Sequence, residues 1–203
     1  MTDAEILTEV KKLQVLYRLK TVIRYHHTRD EEKPYDTESD AEHIYGMQVL
    51  ARYFLALENP AGDWDREKVY DMILYHDIDE IETGDTIGFM KTSDEKSIEL
   101  AATKRVIKTL PKSLQDSVST LMTEYEAQSN IEAQFVKALD KIEPCFHLLS
   151  ESGKATMQMH GTTLEQHWSI KRKPISPFPV LLRFTEVITT ELEQQGHFGP
   201  ATT

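Results

Sequence analysis

Ile73-Leu-Tyr-His76-Asp77-Ile-Asp-Glu80-Ile-Glu-Thr-Gly-Asp85 is the stretch on which the reading of this chain turns. An apolar run ends in an imidazole beside a carboxylate, and Glu80 follows one helical turn later. Two more places join it: Ala41-Glu42-His43 upstream and Ala138-Leu139-Asp140 downstream. Together they make an ordered set of two imidazoles and two carboxylates, His43, His76, Asp77 and Asp140. Zn, Mn, Co, Ni and Fe all accept such donors. The rest of the chain reads as a scaffold that brings these three places together.

Working outward, the apolar residues recur at helical spacing. Ile6, Val10, Leu13, Leu16, Val22 and Ile23 predict one amphipathic helix over residues 4–25. Residues 26–38 carry no apolar period and include Pro34, which predicts an exposed loop. Ser39-Asp-Ala-Glu42 fits a capping box, so a helix opens at Ser39. Its expected core stripe is Met47, Leu50, Phe54 and Leu57, and His43 falls in its first turn. Asp63-Trp-Asp65 opens the next helix, with Val69, Met72 and Ile73 buried and His76 continuing that face. Thr92-Ser-Asp-Glu95 is a second capping box, opening a helix over Ile98, Leu100, Ala101 and Val106 that stops at Leu110-Pro111. Leu114, Val118, Leu121 and Met122 mark a further helix. Ile131 to Leu149 forms another, around Phe135, Val136, Leu139 and Ile142. In the tail, Pro174, Pro177 and Pro179 exclude a long helix from residues 153–179. A last helix runs over Val180 to Leu192, and residues 196–203 are expected to fray. No stretch alternates as a strand does. The predicted fold is an all-α helical bundle. One domain spans residues 1–203, with its core at 4–150 and an extension at 151–203.

Composition narrows the function. The 203 residues are 39% hydrophobic and 28% charged, ordinary for a globular protein. No apolar run reaches the ~20 residues of a membrane helix. The N-terminus lacks a secretory layout, and the single cysteine, Cys145, forms no internal disulfide. A cytoplasmic protein without a membrane partner is expected. The net charge of −11 argues against a nucleic-acid binder. It leaves room for a small phosphate ester, because a bound cation reverses the local sign of an acidic site.

Each site residue also has a plain reading. His43 and His76 can be packing histidines. Asp77 can be a helix-end acid, and Asp140 can pair with Lys141. Glu80, on the face of His76 and Asp77, can activate water at a metal or simply be a solvated acid. Arg24 can neutralise a substrate phosphate. Cys145 has no flanking cation in sequence to activate it.

The ordered set resembles the HD-domain metal-dependent phosphohydrolases. Three segments carry a closer likeness to their 5'-deoxynucleotidase branch: Glu38-Ser-Asp-Ala-Glu-His43, Tyr75-His-Asp-Ile-Asp-Glu80 with Thr83-Gly-Asp85, and Phe135-Val-Lys-Ala-Leu-Asp-Lys141. The likeness runs from about Leu13 to about Leu149. It implies an all-α fold, usually a homodimer, that hydrolyses deoxyribonucleoside 5'-monophosphates with one divalent metal ion (Mn, Co, Zn, Ni, Fe or Mg). It implies that His43, His76, Asp77 and Asp140 are the metal ligands and that Glu80 activates or positions water. Arg24 would hold the substrate phosphate and sugar, and Asp85 would stand in the substrate pocket. Tyr25 stands where a deoxynucleotide-selective member has a tryptophan against the sugar, and the loop before Ser39 is long. A phosphodiesterase on the same site, or a metal- and nucleotide-binding module without catalysis, are the alternative readings.

Overall fold

The computed structural model describes residues 1–24 and 38–200. Tyr25 and residues 26–37 of the expected loop lie outside that range. Among the described residues every regular element is helical, apart from an isolated antiparallel bridge between Ile23 and Ser39. The helices are α1 (Asp3–Leu13), α2 (Asp40–Glu58), α3 (Arg66–Tyr75), the single turn α4 (Glu80–Thr83), α5 (Ser93–Thr109), α6 (Lys112–Ala127), α7 (Ile131–His147), α8 (Glu151–Met159), α9 (Leu164–Ile175) and α10 (Pro179–Gln194). No helix among the described residues is long and apolar enough to cross a membrane.

α7 is the axis. It packs against α2, α3, α6, α9 and α10. Ala133, Phe135, Val136, Ala138, Leu139, Ile142 and Cys145 are all fully buried, so the helix is apolar around most of its circumference, as an enclosed helix must be. Phe135 stacks edge-on with Trp64 at 5.3 Å and with Phe178 at 5.5 Å, which ties α7 to the entry of α3 and of α10.

Both capping boxes form. Ser39 Oγ accepts from the Glu42 amide at 3.3 Å while Glu42 accepts from the Ser39 amide at 2.7 Å, and Thr92 and Glu95 repeat the arrangement. Phe178 offers no cap to α10. Instead Glu58, from the end of α2, accepts from the Leu181 amide at 2.7 Å, which satisfies one of the donors that a helix start leaves open.

Five expectations need correction. The first helix ends at Leu13, not near residue 25; the chain continues as a 3-10 turn over Leu16–Thr21. None of α1's residues is buried, so no packing partner sustains the helix further. Leu57 is exposed, and the buried face of α2 is Met47, Ala51, Phe54 and Leu55. Ile98 is likewise exposed, and α5 buries Ala102, Val106 and Ile107 instead. In the tail, α8 and α9 occupy the region where the prolines argued against helix. Pro174 lies in the last turn of α9, where few backbone bonds remain to lose. The stretch after α10 does not fray before residue 200. His197 is 2% exposed, Phe198 packs on His167 at 5.2 Å, and the Gly199 amide donates to the Thr162 carbonyl at 2.9 Å.

Candidate metal centre

Three helices deliver the four candidate ligands. His43 stands one turn into α2, His76 caps the C-terminus of α3, Asp77 begins the turn into α4, and Asp140 lies mid-way along α7. Because α2 and α3 both pack on α7, these side chains converge. His43 Nε2 is 3.6 Å from Asp140 Oδ1 and 4.0 Å from Asp77 Oδ2, and His76 Nε2 is 2.9 Å from Asp77 Oδ2. The two imidazole centroids are 5.5 Å apart. His43, His76 and Asp77 each present a ligand atom within a few ångströms of the others, as a cation requires.

The far side of each ring is already held. His43 Nδ1 donates to Glu143 Oε2 at 2.6 Å, and His76 Nδ1 donates to the Ile73 carbonyl at 2.9 Å. Both bonds leave the Nε2 lone pairs aimed at the cluster. Both Nε2 atoms are buried, and neither makes a hydrogen bond. Buried polar atoms without partners are rare. Imidazoles oriented by an outer carboxylate or carbonyl are the usual setting of a metal-binding histidine. The donor set therefore fits a divalent ion.

The electrostatics agree. Burial alone would raise Asp77, but His76 holds it well below the usual carboxylate range. Burial opposes ionisation of Asp140 too, and Lys141 and Lys137 hold it low. His43 is pushed up to about 9: burial and Arg24 work against the charge, and Glu143 and Asp140 overcome them. A site that draws a proton onto His43 between two carboxylates is one that a divalent cation can claim instead.

Around this core stands a second ring of charge. Arg24 is 7% exposed; its Nε lies 3.3 Å from Glu38 Oε2, and its Nη1 lies 3.4 Å from Asp77 Oδ2 and 3.6 Å from Asp40 Oδ1. Two backbone bonds set it there. The Arg24 amide donates to the Glu38 carbonyl and the Asp40 amide to the Val22 carbonyl, which fastens the chain on either side of residues 25–37. Glu80 is 5% exposed, and its Oε2 has no hydrogen-bond partner. Burial, then Asp77 and Asp40, raise it well above the ordinary range. Asp40 is pushed up to about 7 by burial and Asp77, and Glu38 to about 7 by burial and Glu143.

Arg24, Asp77, Glu80, Asp85 and Asp140 all open into one cavity of about 640 Å³. Its far walls come from the loop after α4 and from α8 and α9, so the tail that the sequence left unread closes the site. Sequence reasoning also missed Glu143 and Asp40. Glu143 carried a signal: it follows Asp140 by three residues in α7, which puts both on one face. Cys145 is fully buried, and burial pushes its thiol up although Lys171 beside it acts in the other direction.

A family model described as HD domain matches residues 16–180. The chain belongs to the HD domain family. Among curated HD proteins, a Schizosaccharomyces pombe 5'-deoxynucleotidase is 33% identical over 153 residues, covering 70% of this chain and 72% of that protein. A Bos taurus 5'-deoxynucleotidase is 33% identical over 117 residues, 57% of this chain and 53% of that protein, so the chain spans about half the length of this mammalian relative. An Escherichia coli 5'-deoxynucleotidase is 28% identical over 167 residues, covering 77% and 81%. In fold, the chain is similar to a predicted metal-dependent phosphohydrolase from Magnetospirillum magnetotacticum, with a TM-score of 0.79 at 24% identity over 96% of both chains. It is also similar to an HD-domain phosphohydrolase from Listeria innocua, with a TM-score of 0.59 at 19% identity over 92% and 86%. The all-α HD bundle expected from the sequence is thus the observed one.

Proposed function

We propose that this HD protein is a metal-dependent phosphomonoesterase that hydrolyses deoxyribo- or ribonucleoside 5'-monophosphates to nucleoside and phosphate. The observation that carries the reading is the pair of buried, unbonded Nε2 atoms of His43 and His76, each locked from behind and facing Asp77 and Asp140. These four residues would hold one divalent ion. When bound, such an ion supplies Lewis acidity toward the phosphoryl oxygens and acidifies water beside it. Glu80, buried at the cavity wall next to Asp77, takes or orients the proton of the attacking water. Arg24 brings fixed positive charge to where the phosphoryl oxygens gather, and the carboxylates of Glu38, Asp40 and Asp77 keep its guanidinium from wandering. Asp85 lines the same cavity and is assigned to the substrate pocket. Tyr25, also assigned to the sugar, lies outside the described residues.

A homodimer in the cytoplasm is part of the proposal. The outer face of α2 carries Tyr45, Val49, Tyr53 and Leu57 at four-residue intervals, all exposed, and a second copy of the chain would cover them. Light scattering on the purified protein checks the mass.

The test of function is phosphate release from matched deoxyribo- and ribonucleoside 5'-monophosphates, with Mn, Co, Zn, Ni, Fe or Mg returned to stripped protein. Metal-dependent release supports the reading, and the ratio between the two sugars gives the selectivity. A protein that binds metal yet releases phosphate from neither substrate refutes it.

A further inference from the structure

The cavity has a second charged region, remote from Arg24 in sequence and built by α7 and α9. Lys171 is 3% exposed, and its Nζ donates to the Lys141 carbonyl at 2.5 Å. No carboxylate lies within ion-pair distance of that nitrogen among the described residues. Lys141 Nζ and Lys137 Nζ lie 2.9 and 3.0 Å from the same oxygen, Asp140 Oδ2. All three lysines line the cavity. Asp77, Glu80, Asp85, Glu99 and Glu126 line it as well, and among the described residues none of them makes an ion pair with these lysines.

A buried ammonium without a counter-charge is costly and calls for a reason. One reason is local. Pro144 sits inside α7, cannot donate to the Asp140 carbonyl and disturbs that turn, and the neighbouring Lys141 carbonyl is the one that Lys171 Nζ reaches. That explains a donor at residue 171 but not a charge, since an amide side chain would serve. Charge explains the rest. Lys137 and Lys141 share one carboxylate oxygen and Lys171 has no carboxylate partner among the described residues, so this wall of the cavity presents more amines than carboxylates paired with them. A phosphoryl group, an anion with several acceptor oxygens, suits such a cluster of amines.

We propose that Lys137, Lys141 and Lys171 form a phosphoryl-binding subsite on the α7–α9 wall of the cavity. It is distinct from the His/Asp cluster and from Arg24. The proposal rests on the nucleotidase reading only for the choice of substrates below; the binding of phosphate itself does not depend on turnover. The phosphoryl group has three possible sources: the reacting group of the substrate, a second phosphate on the substrate, or the inorganic phosphate released.

The first experiment is calorimetric titration of inorganic phosphate into the metal-stripped full chain. Wild type should bind, Lys171→Gln should bind at least tenfold more weakly, and Lys171→Arg should recover most of the loss. Lys171→Gln keeps a donor for the Lys141 carbonyl, so a purely structural role predicts no change. If it does not fold, Lys141→Gln, at a more exposed position, tests the same charge. Kinetics on the metal-loaded protein then separate the sources. A raised KM for both a nucleoside 5'-monophosphate and the 3',5'-bisphosphate assigns the reacting phosphoryl group. A raised KM for the bisphosphate alone assigns a second phosphate. Loss of phosphate inhibition with KM unchanged assigns the product. Wild type that binds no phosphate, or equal binding by wild type, Lys171→Gln and Lys141→Gln, overturns the proposal. An inactive protein that still binds phosphate through these lysines refutes the nucleotidase reading and leaves the subsite standing.

Discussion

Gly46→Ala is the sharpest test of how the histidines are held. Gly46 follows His43 by one turn of α2 and so faces the same neighbour on α7, Glu143. A methyl group placed on Gly46 overlaps Glu143 Oε1 and comes 3.1 Å from its Cδ and 3.3 Å from its Cγ. Carbon atoms settle at about 3.5–4.0 Å, so the carboxylate must retreat by roughly half an ångström or more. It cannot do so and keep its 2.6 Å bond to His43 Nδ1. That bond fixes which nitrogen of His43 faces the cluster, and loss of such an outer-shell partner typically weakens metal binding by about 10- to 100-fold. The corresponding free energy is about 1.4–2.8 kcal/mol. The helix itself gains up to about 1 kcal/mol from replacing glycine with alanine. The metal-free protein should therefore stay near wild-type stability while its metal affinity falls.

The assay is a chelator competition for Zn or Mn on wild type, Gly46→Ala, Glu143→Gln and the double variant, with thermal unfolding of each stripped protein. The two single variants should lose similar affinity, and the double should lose little more, because both act on one bond. Gly46→Ala binding metal within threefold of wild type would mean that the Glu143–His43 bond does not orient a ligand, and the outer-shell argument would fail.

The remaining predictions follow from the same geometry. Asp77→Ala should lose bound metal, measured by elemental analysis, together with activity; full metal content would remove Asp77 from the ligand set. Glu80→Gln should keep its metal and lose about 10²- to 10⁴-fold in turnover, the range of a general base, and near-normal turnover would exclude that role. His167, 3% exposed and bonded to Thr189 at 3.0 Å, is pushed down from 6.5 to about 3 by burial and then by Lys171. Between those values the unfolded chain takes up a proton that the folded chain refuses, so stability falls as pH falls, by about 2 kcal/mol at pH 5 relative to pH 8. Denaturant titrations at both pH values check this, and His167→Gln should be less stable at pH 8 yet lack that increment. Ser39→Ala removes the cap of α2 and should cost about 1 kcal/mol, read as a lower midpoint in the same titrations.

The parts of this protein that were legible in the sequence are those whose signal is local. Ser39 and Glu42, or Thr92 and Glu95, are three residues apart and satisfy each other's backbone, so the capping boxes could be read without knowing the fold. His76, Asp77 and Glu80 share a face by spacing alone. What was hidden depends on contacts between distant segments. The break after Leu13 reflects the absence of a packing partner for α1, which no count of apolar residues reveals. The exposure of Leu57 and Ile98, and the burial of Ala51 and Ala102 in their place, were decided by where neighbouring helices landed.

The tail shows the same principle in the opposite direction. Its prolines were read as helix breakers because a proline inside a free helix is expensive. Pro174 sits where α9 is about to end, and the helix is held by its packing on α7 and α10 rather than by its own propensity. That packing places Ile170 and Lys171 on the wall of the cavity. The resemblance that identified His43, His76, Asp77 and Asp140 ended near Leu149, so it described the floor of the site and left out a wall. Residues on that wall can change what the cavity accepts without touching the four candidate ligands. Family membership therefore bears on the fold that gathers the cluster, and the selectivity of the proposed reaction is to be sought in Lys171 and its neighbours.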